Sequence, residues 1–234
     1  MKKVFYLCLI AFSALMLSCG NKAAQANEEK EEISAQASQE LSAIRVAMNL
    51  AKYGYEVESA SALIEAANIL IANPTQELEV ELEQEKTDAE ETEKAAKAQI
   101  TPAQLLADAR KIAANDAHLL ALADDVEMRL KDFPEETRGA VGGPKRVLNH
   151  VSSHGTDYYT VKFWGKELAE VLVSGDGDTD LDLYVYDENG NFITSDADYT
   201  DDCYVRFRPA WTGLFRLKIV NRGNVYNNYV LLTN

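Results

Sequence analysis

From about Gln39 to Asp132 the apolar residues recur every three or four positions: Leu41, Ile44, Ala47, Met48 and Ala51, then Leu63, Ile64, Ala67, Leu70 and Ile71. That spacing puts each set on one face of a helix. Asn73-Pro74 ends the second helix, because proline disfavours the helical conformation in the residue before it. Thr101-Pro102 starts a third, with Thr as cap and Pro at the first helical position, and Asn115-Asp116 separates it from AHLLALADDVEMRL. LIEAANILIAN (63–73) and LLADARKIAAN (105–115) match in register at an offset of 42, pairing Leu63 with Leu105, Ile64 with Leu106, Ala67 with Ala109 and Leu70 with Ile112. The repeat predicts two helical hairpins packed as a small bundle over 39–133.

After Gly155 the period becomes two. YYTVKFW, ELAEVLVS, DLDLYVYD, NFITS, CYVRFRP, LFRLKIVN and VYNNYVLLTN are short strands separated by Gly, Asn or Asp turns, which predicts an antiparallel β-sandwich or jelly roll over 155–234. The expected fold class is therefore α+β as separate domains. Residues 134–154, which include most of the aperiodic RGAVGGPKRVLNHVSSHG (138–155), read as the linker between them. Residues 76–99 carry nine acids and read as a solvated insert in the helical domain. The alternation from Glu77 to Glu83 has strand period, yet a lone strand among helices has nothing to pair with. Residues 19–38 are small, polar and charged and read as a flexible tether.

SGDGDTDLDLYVYDENGN (174–191) is the densest chemistry in the chain. Asp176, Asp178 and Asp180 have EF-hand spacing, but the sixth position, which needs glycine, is Leu181, and no helices flank the loop. Leu181, Leu183 and Val185 instead alternate with Asp182, Tyr184 and Tyr186, which makes a strand with its aliphatic face inward. Asn189-Gly190 then forms a hairpin turn, so SDADYTDD (195–202) returns beside SGDGD (174–178). Asp176, Asp178, Asp180, Asp196, Asp198, Asp201 and Asp202 should crowd at one end of the sheet, with no basic residue between 174 and 205. Two readings stand: Asp176, Asp178, Asp180, Asp196, Asp198 and Asp202 hold Ca²⁺, or they are solvated turn aspartates that cap backbone amides.

Asp157-Tyr158-Tyr159, the run from Asp180 to Gly190, and Thr212-Gly213 to Val220 occupy the places of motifs in a known family. On these residues the last third of the chain resembles the bacterial pre-peptidase C-terminal domain. The resemblance implies a non-catalytic β-sandwich appended to secreted proteins, most often proteases, some of which bind calcium or polymeric substrates such as collagen. Nothing upstream looks like a protease.

The first twenty residues, MKKVFYLCLIAFSALMLSCG, have two lysines and an apolar stretch too short for a membrane span, and they read as an export signal over 1–18. Met16-Leu17-Ser18-Cys19 resembles a bacterial lipobox, with Met where Leu is usual, which implies lipidation of Cys19 and a lipid-anchored protein. Gly20 in place of aspartate then implies the outer membrane, facing either the periplasm or the surface. Cys203 would be the one cysteine of the mature chain besides Cys19, so no intrachain disulfide is expected. With Lys2 and Lys3 removed, 21 of the 23 basic residues face 38 acidic ones, a net charge of −17, which disfavours nucleic acid as a partner.

No catalytic constellation is evident. His150 and His154 bracket Val151-Ser152-Ser153, Ser152 with His154 and Asp157 makes a triad on paper alone, and phosphate-loop, H-E-x-x-H and C-x-x-C motifs are absent. Cys203 alternates with Val205 and Phe207 and should point into the core. Tyr184, Tyr186 and Tyr204 fall on the outward face and, with Trp211, are candidates to contact a glycan or an envelope protein; the alternative is that another part of the chain covers them. The expected function is a non-catalytic, lipid-anchored binding module. An envelope assembly factor that binds its partner through the helical domain is the alternative.

Overall fold

The computed structural model describes residues 22–87, 100–132 and 144–234, with side chains from residue 35 onward. The export signal, Cys19, the acidic stretch 88–99, the last residue of the expected helical domain and residues 134–143 of the expected linker lie outside these. Four helices form the first half: α1 (Lys22–Glu56), α2 (Ala60–Ala72), α3 (Pro102–Ala113) and α4 (Ala117–Asp132). The expected tether is thus helical from Lys22, continuous with the amphipathic run that follows it. Ser59 Oγ caps α2 by accepting from Ala62 N, and Thr101 Oγ1 caps α3 by accepting from Gln104 N, with Pro102 at the first position. The repeated positions Leu63, Ile64 and Ala67 and their counterparts Leu105, Leu106 and Ala109 are all buried in one core. Gly54 lets α2 fold back closely on α1, since a Cβ there would come within 2.7 Å of Leu63 Cδ2.

The second half is a sandwich of two five-stranded sheets. Its strands are β1 (Gln76–Glu77), β2 (Leu82–Glu85), β3 (Lys145–Val151), β4 (Thr156–Phe163), β5 (Ala169–Gly175), β6 (Leu181–Asp187), β7 (Phe192–Asp196), β8 (Asp202–Phe207), β9 (Gly213–Asn221) and β10 (Asn227–Thr233). The first sheet runs β1-β3-β10-β5-β8 and the second β2-β4-β9-β6-β7. All pairs are antiparallel except β1 with β3. Leu181, Leu183 and Val185 point into the core with Leu217, Ile219 and Leu231, and Cys203 joins them, as the period predicts.

Two boundaries differ from expectation. The acidic insert is not a linker over its first ten residues: β1 extends the first sheet and β2 the second, so 76–85 spans from one sheet edge to the other. Leu78 is buried in the sandwich core, with Val80 and Leu82 packed against it. The alternation in this stretch is therefore a strand's, and its partners lie some 70 residues further on. Lys145–Val151, placed in the linker by its glycines and proline, is β3, paired along its whole length with β10. Leu41, Ile44 and Met48 of α1 also pack on Leu172, Val230 and Leu232, so the outward side of the first sheet is the seat of the helical part.

Candidate functional site

The two acidic loops do converge at one end of the sandwich. Gly175 N donates to Asp201 O at 2.8 Å and Leu181 N to Thr200 O at 3.0 Å, which ties 174–181 to 200–201. Four of the carboxylates there accept hydrogen bonds from nearby amides. Asp176 Oδ2 accepts from Asn228 N and Nδ2, and Asp196 from Tyr204 N at 2.8 Å. Asp198 Oδ1 accepts from Thr200 N, and Asp201 from Gly177 N. Asp178 is exposed. Two cations arrive from outside the acidic stretch. Lys52 of α1 reaches Asp202 Oδ1 at 2.6 Å and Asp201 Oδ1 at 3.2 Å, and Arg222 Nε reaches Asp182 Oδ2 at 2.6 Å.

Burial, then the charges of Asp182, Asp198 and Asp201, raise the Asp180 carboxyl above its usual range. Among the described residues no three acidic, His or Cys side chains are disposed to hold a metal ion. Amide donors, Lys52 and Arg222 relieve part of the mutual repulsion, while Asp180 Oδ1 is buried without a hydrogen-bond partner.

The tyrosines separate. Tyr184 and Tyr186 lie on the outward side of the second sheet, as predicted, but Tyr204 does not join them. It is on β8 in the other sheet, beneath α1, with the Arg45 guanidinium 4.3 Å from its ring centre and its hydroxyl bonded to Glu170. Period two gives a residue's side of its strand but not the sheet the strand joins. Trp211 is in the loop between β8 and β9, at the end opposite the acidic loops, half exposed and stacked on Phe215 at 6.5 Å.

A tyrosine the sequence reading passed over completes the outward face. Register pairs Tyr158 of β4 with Lys218 of β9, and Lys218 with Tyr184 of β6. Lys218 Nζ lies 5.9 Å from the ring centre of each tyrosine. In the next row Arg216 opposes Tyr186, Tyr186 opposes Phe192, and the Arg216 guanidinium sits 4.1 Å over Tyr158. Tyr158 Oη donates to Glu85 and Tyr184 Oη to Asp182, which orients both rings. At the far end Trp164 and Leu214 are about half exposed, with Lys162 Nζ 5.3 Å from the Trp164 ring. Aromatic rings and cations thus alternate across three central strands. The motif Asp157-Tyr158-Tyr159 carried the signal: Asp157 and Tyr159 are buried, so Tyr158 between them must face out.

The residues considered for catalysis do not assemble. His154 bonds Asn224, while Asp157 is buried and accepts from Tyr229 Oη at 2.6 Å and Gln84 Nε2 at 3.0 Å. Cys203 is buried, and burial pushes its thiol well above the usual range, so it is no nucleophile.

No family model and no curated protein matches the chain. Solved structures do. The chain is similar to the pre-peptidase C-terminal domain of a collagenase from Bacillus anthracis, with 16% identity over 38% of this chain and 88% of that one, at a TM-score of 0.34. It is similar to PliG of Aeromonas hydrophila, a periplasmic inhibitor of g-type lysozyme, with 10% identity over 39% and 84% and a TM-score of 0.32. A third likeness is to the C-terminal CBM6 of LamC from Zobellia galactanivorans, with 9% identity over 39% and 100% and a TM-score of 0.24.

Proposed function

We propose that the protein is a non-catalytic binding module that holds an extended glycan along the outward side of its second sheet. The observation that carries this reading is the row Tyr158–Lys218–Tyr184, backed by Arg216, Tyr186 and Phe192. The rings offer flat apolar surfaces for the C–H faces of sugars, and the ammonium and guanidinium groups offer donors to hydroxyl or carboxylate oxygens. Because Arg216 and Arg222 are already held by Glu83 and Asp182, the face is pre-ordered and little side-chain freedom is lost on binding. Export and anchoring through a lipid on Cys19 belong to the same proposal and would hold the module where envelope or extracellular glycans are present.

The test is an array of bacterial and plant polysaccharides, uronic-acid polymers included, probed with the purified chain lacking residues 1–18. Retention on a polysaccharide that is lost in Tyr184→Ala supports the reading. Retention on none of them, with an envelope protein captured in a Tyr184-dependent manner instead, would replace the glycan with a protein partner.

A further inference from the structure

A cleft of about 1110 Å³ lies on the other side of the sandwich, between the helices and the outward face of the first sheet. Leu41, Ile44 and Met48 of α1 cover Leu172, Val230 and Leu232. Further along the sheet, β3 presents Arg146 and Leu148 on the same side, and Leu148 remains 40% exposed. The helical wall comes from the end of α2 (Leu70, Ile71), the approach to α3 (Ile100) and the end of α4 (Leu130).

Branched and linear aliphatic side chains, which suit a flexible alkyl chain, share the walls with polar ones such as Asn73, Thr101 and Ser174. Two cations, Lys52 and Arg146, and two carboxylates, Glu56 and Asp176, line the cleft. Lys52 is held by Asp201 and Asp202. Arg146, directly opposite Leu232 in the register, has no ion pair among the described residues. An unpaired guanidinium beside apolar walls calls for an anionic head on an apolar tail, and a guanidinium takes a carboxylate with two parallel hydrogen bonds.

We propose that this cleft binds a single-chain aliphatic carboxylate, its chain along Leu148, Ile71 and Ile100 and its head on Arg146. The site is on the opposite sheet from the glycan face, so either can fail alone. The test is a calorimetric titration of delipidated protein, residues 19–234, with dodecanoic acid and with dodecanol. Dodecanoate should bind one to one, and affinity should fall by roughly fourfold for each methylene removed. Leu148→Trp fills the cleft from a half-exposed position and should abolish binding of both probes. Arg146→Gln should weaken dodecanoate by about tenfold and leave dodecanol unchanged, and Arg146→Lys should recover part of that loss. Absence of saturable dodecanoate binding, binding indifferent to Leu148→Trp, or equal weakening of acid and alcohol by Arg146→Gln would each overturn the proposal.

Discussion

Truncating Leu78 tests whether the acidic segment 76–85 belongs to the sandwich. Leu78 is 7% exposed, lies in the sandwich core, and its amide donates to Arg146 O at 2.7 Å. Leu78→Ala removes three buried carbons and leaves a cavity, which in a well-packed interior costs about 2–5 kcal/mol. The segment lies along one margin of the sandwich and can partly collapse into the space, so about 2–3 kcal/mol is expected. For a domain of this size that lowers the melting temperature by roughly 8–24 °C. Trp164 and Trp211 are the chain's two tryptophans and both are in the sandwich, so a melt followed by tryptophan fluorescence reports this part of the molecule. Glu79→Ala and Glu81→Ala, at exposed positions of the same segment, should each change stability by under about 0.5 kcal/mol. A Leu78→Ala melt within about 2 °C of wild type would mean that the segment is the solvated arm its charge suggests.

Three further outcomes follow from the geometry. Burial raises the Asp157 carboxyl in the folded state, so the folded chain binds that proton more tightly and stability falls as pH climbs from about 4, the unfolded value, through the folded value. Denaturant melts should show Asp157→Asn gaining on wild type over that rise; a pH-independent difference would mean that Asp157 does not titrate as placed. Because Lys52, Arg222 and backbone amides already serve the acidic loops, calcium and sodium at matched ionic strength should raise the melting temperature equally, and a calcium-specific rise abolished by Asp178→Asn or Asp198→Asn would establish a metal site. Cys19→Ala should move the protein from the membrane fraction to the soluble one and abolish palmitate labelling, whereas an unlabelled, membrane-bound wild type would end the lipoprotein reading.

Much of the architecture was legible because it rests on local rules. Leu181, Leu183 and Val185 alternate with polar neighbours, Asn189-Gly190 sets the hairpin with Gly190 at φ 80°, and the repeat between 63–73 and 105–115 marks the faces that pack together. The misses have a common cause in long-range pairing. The alternation of 77–83 was visible, but a two-residue and a four-residue strand gain stability only from β3 and β4, which no local pattern announces. In β3, Val147 and Val151 point into the sandwich while Leu148 faces the helical side, so apolar residues on both sides erase the alternation that marks a strand. Among the site residues, Tyr184 and Tyr186 were found by period two alone. Tyr204 was misplaced because the sheet a strand joins is a tertiary fact, and Lys52 and Arg222 were overlooked because they reach the aspartates from 149 and 40 residues away.

The most direct test of the central claim is the affinity of the Tyr158–Lys218–Tyr184 row for whichever polysaccharide the array identifies. Calorimetry should show Tyr184→Ala and Lys218→Ala each weakening that affinity by about tenfold or more, as for central contacts in a binding face, with the fold intact by far-ultraviolet circular dichroism. Tyr53→Ala, at an exposed ring on α1, should have no effect. Equal affinities for wild type and both face variants would contradict the account and remove the outward side of the second sheet as the site of function.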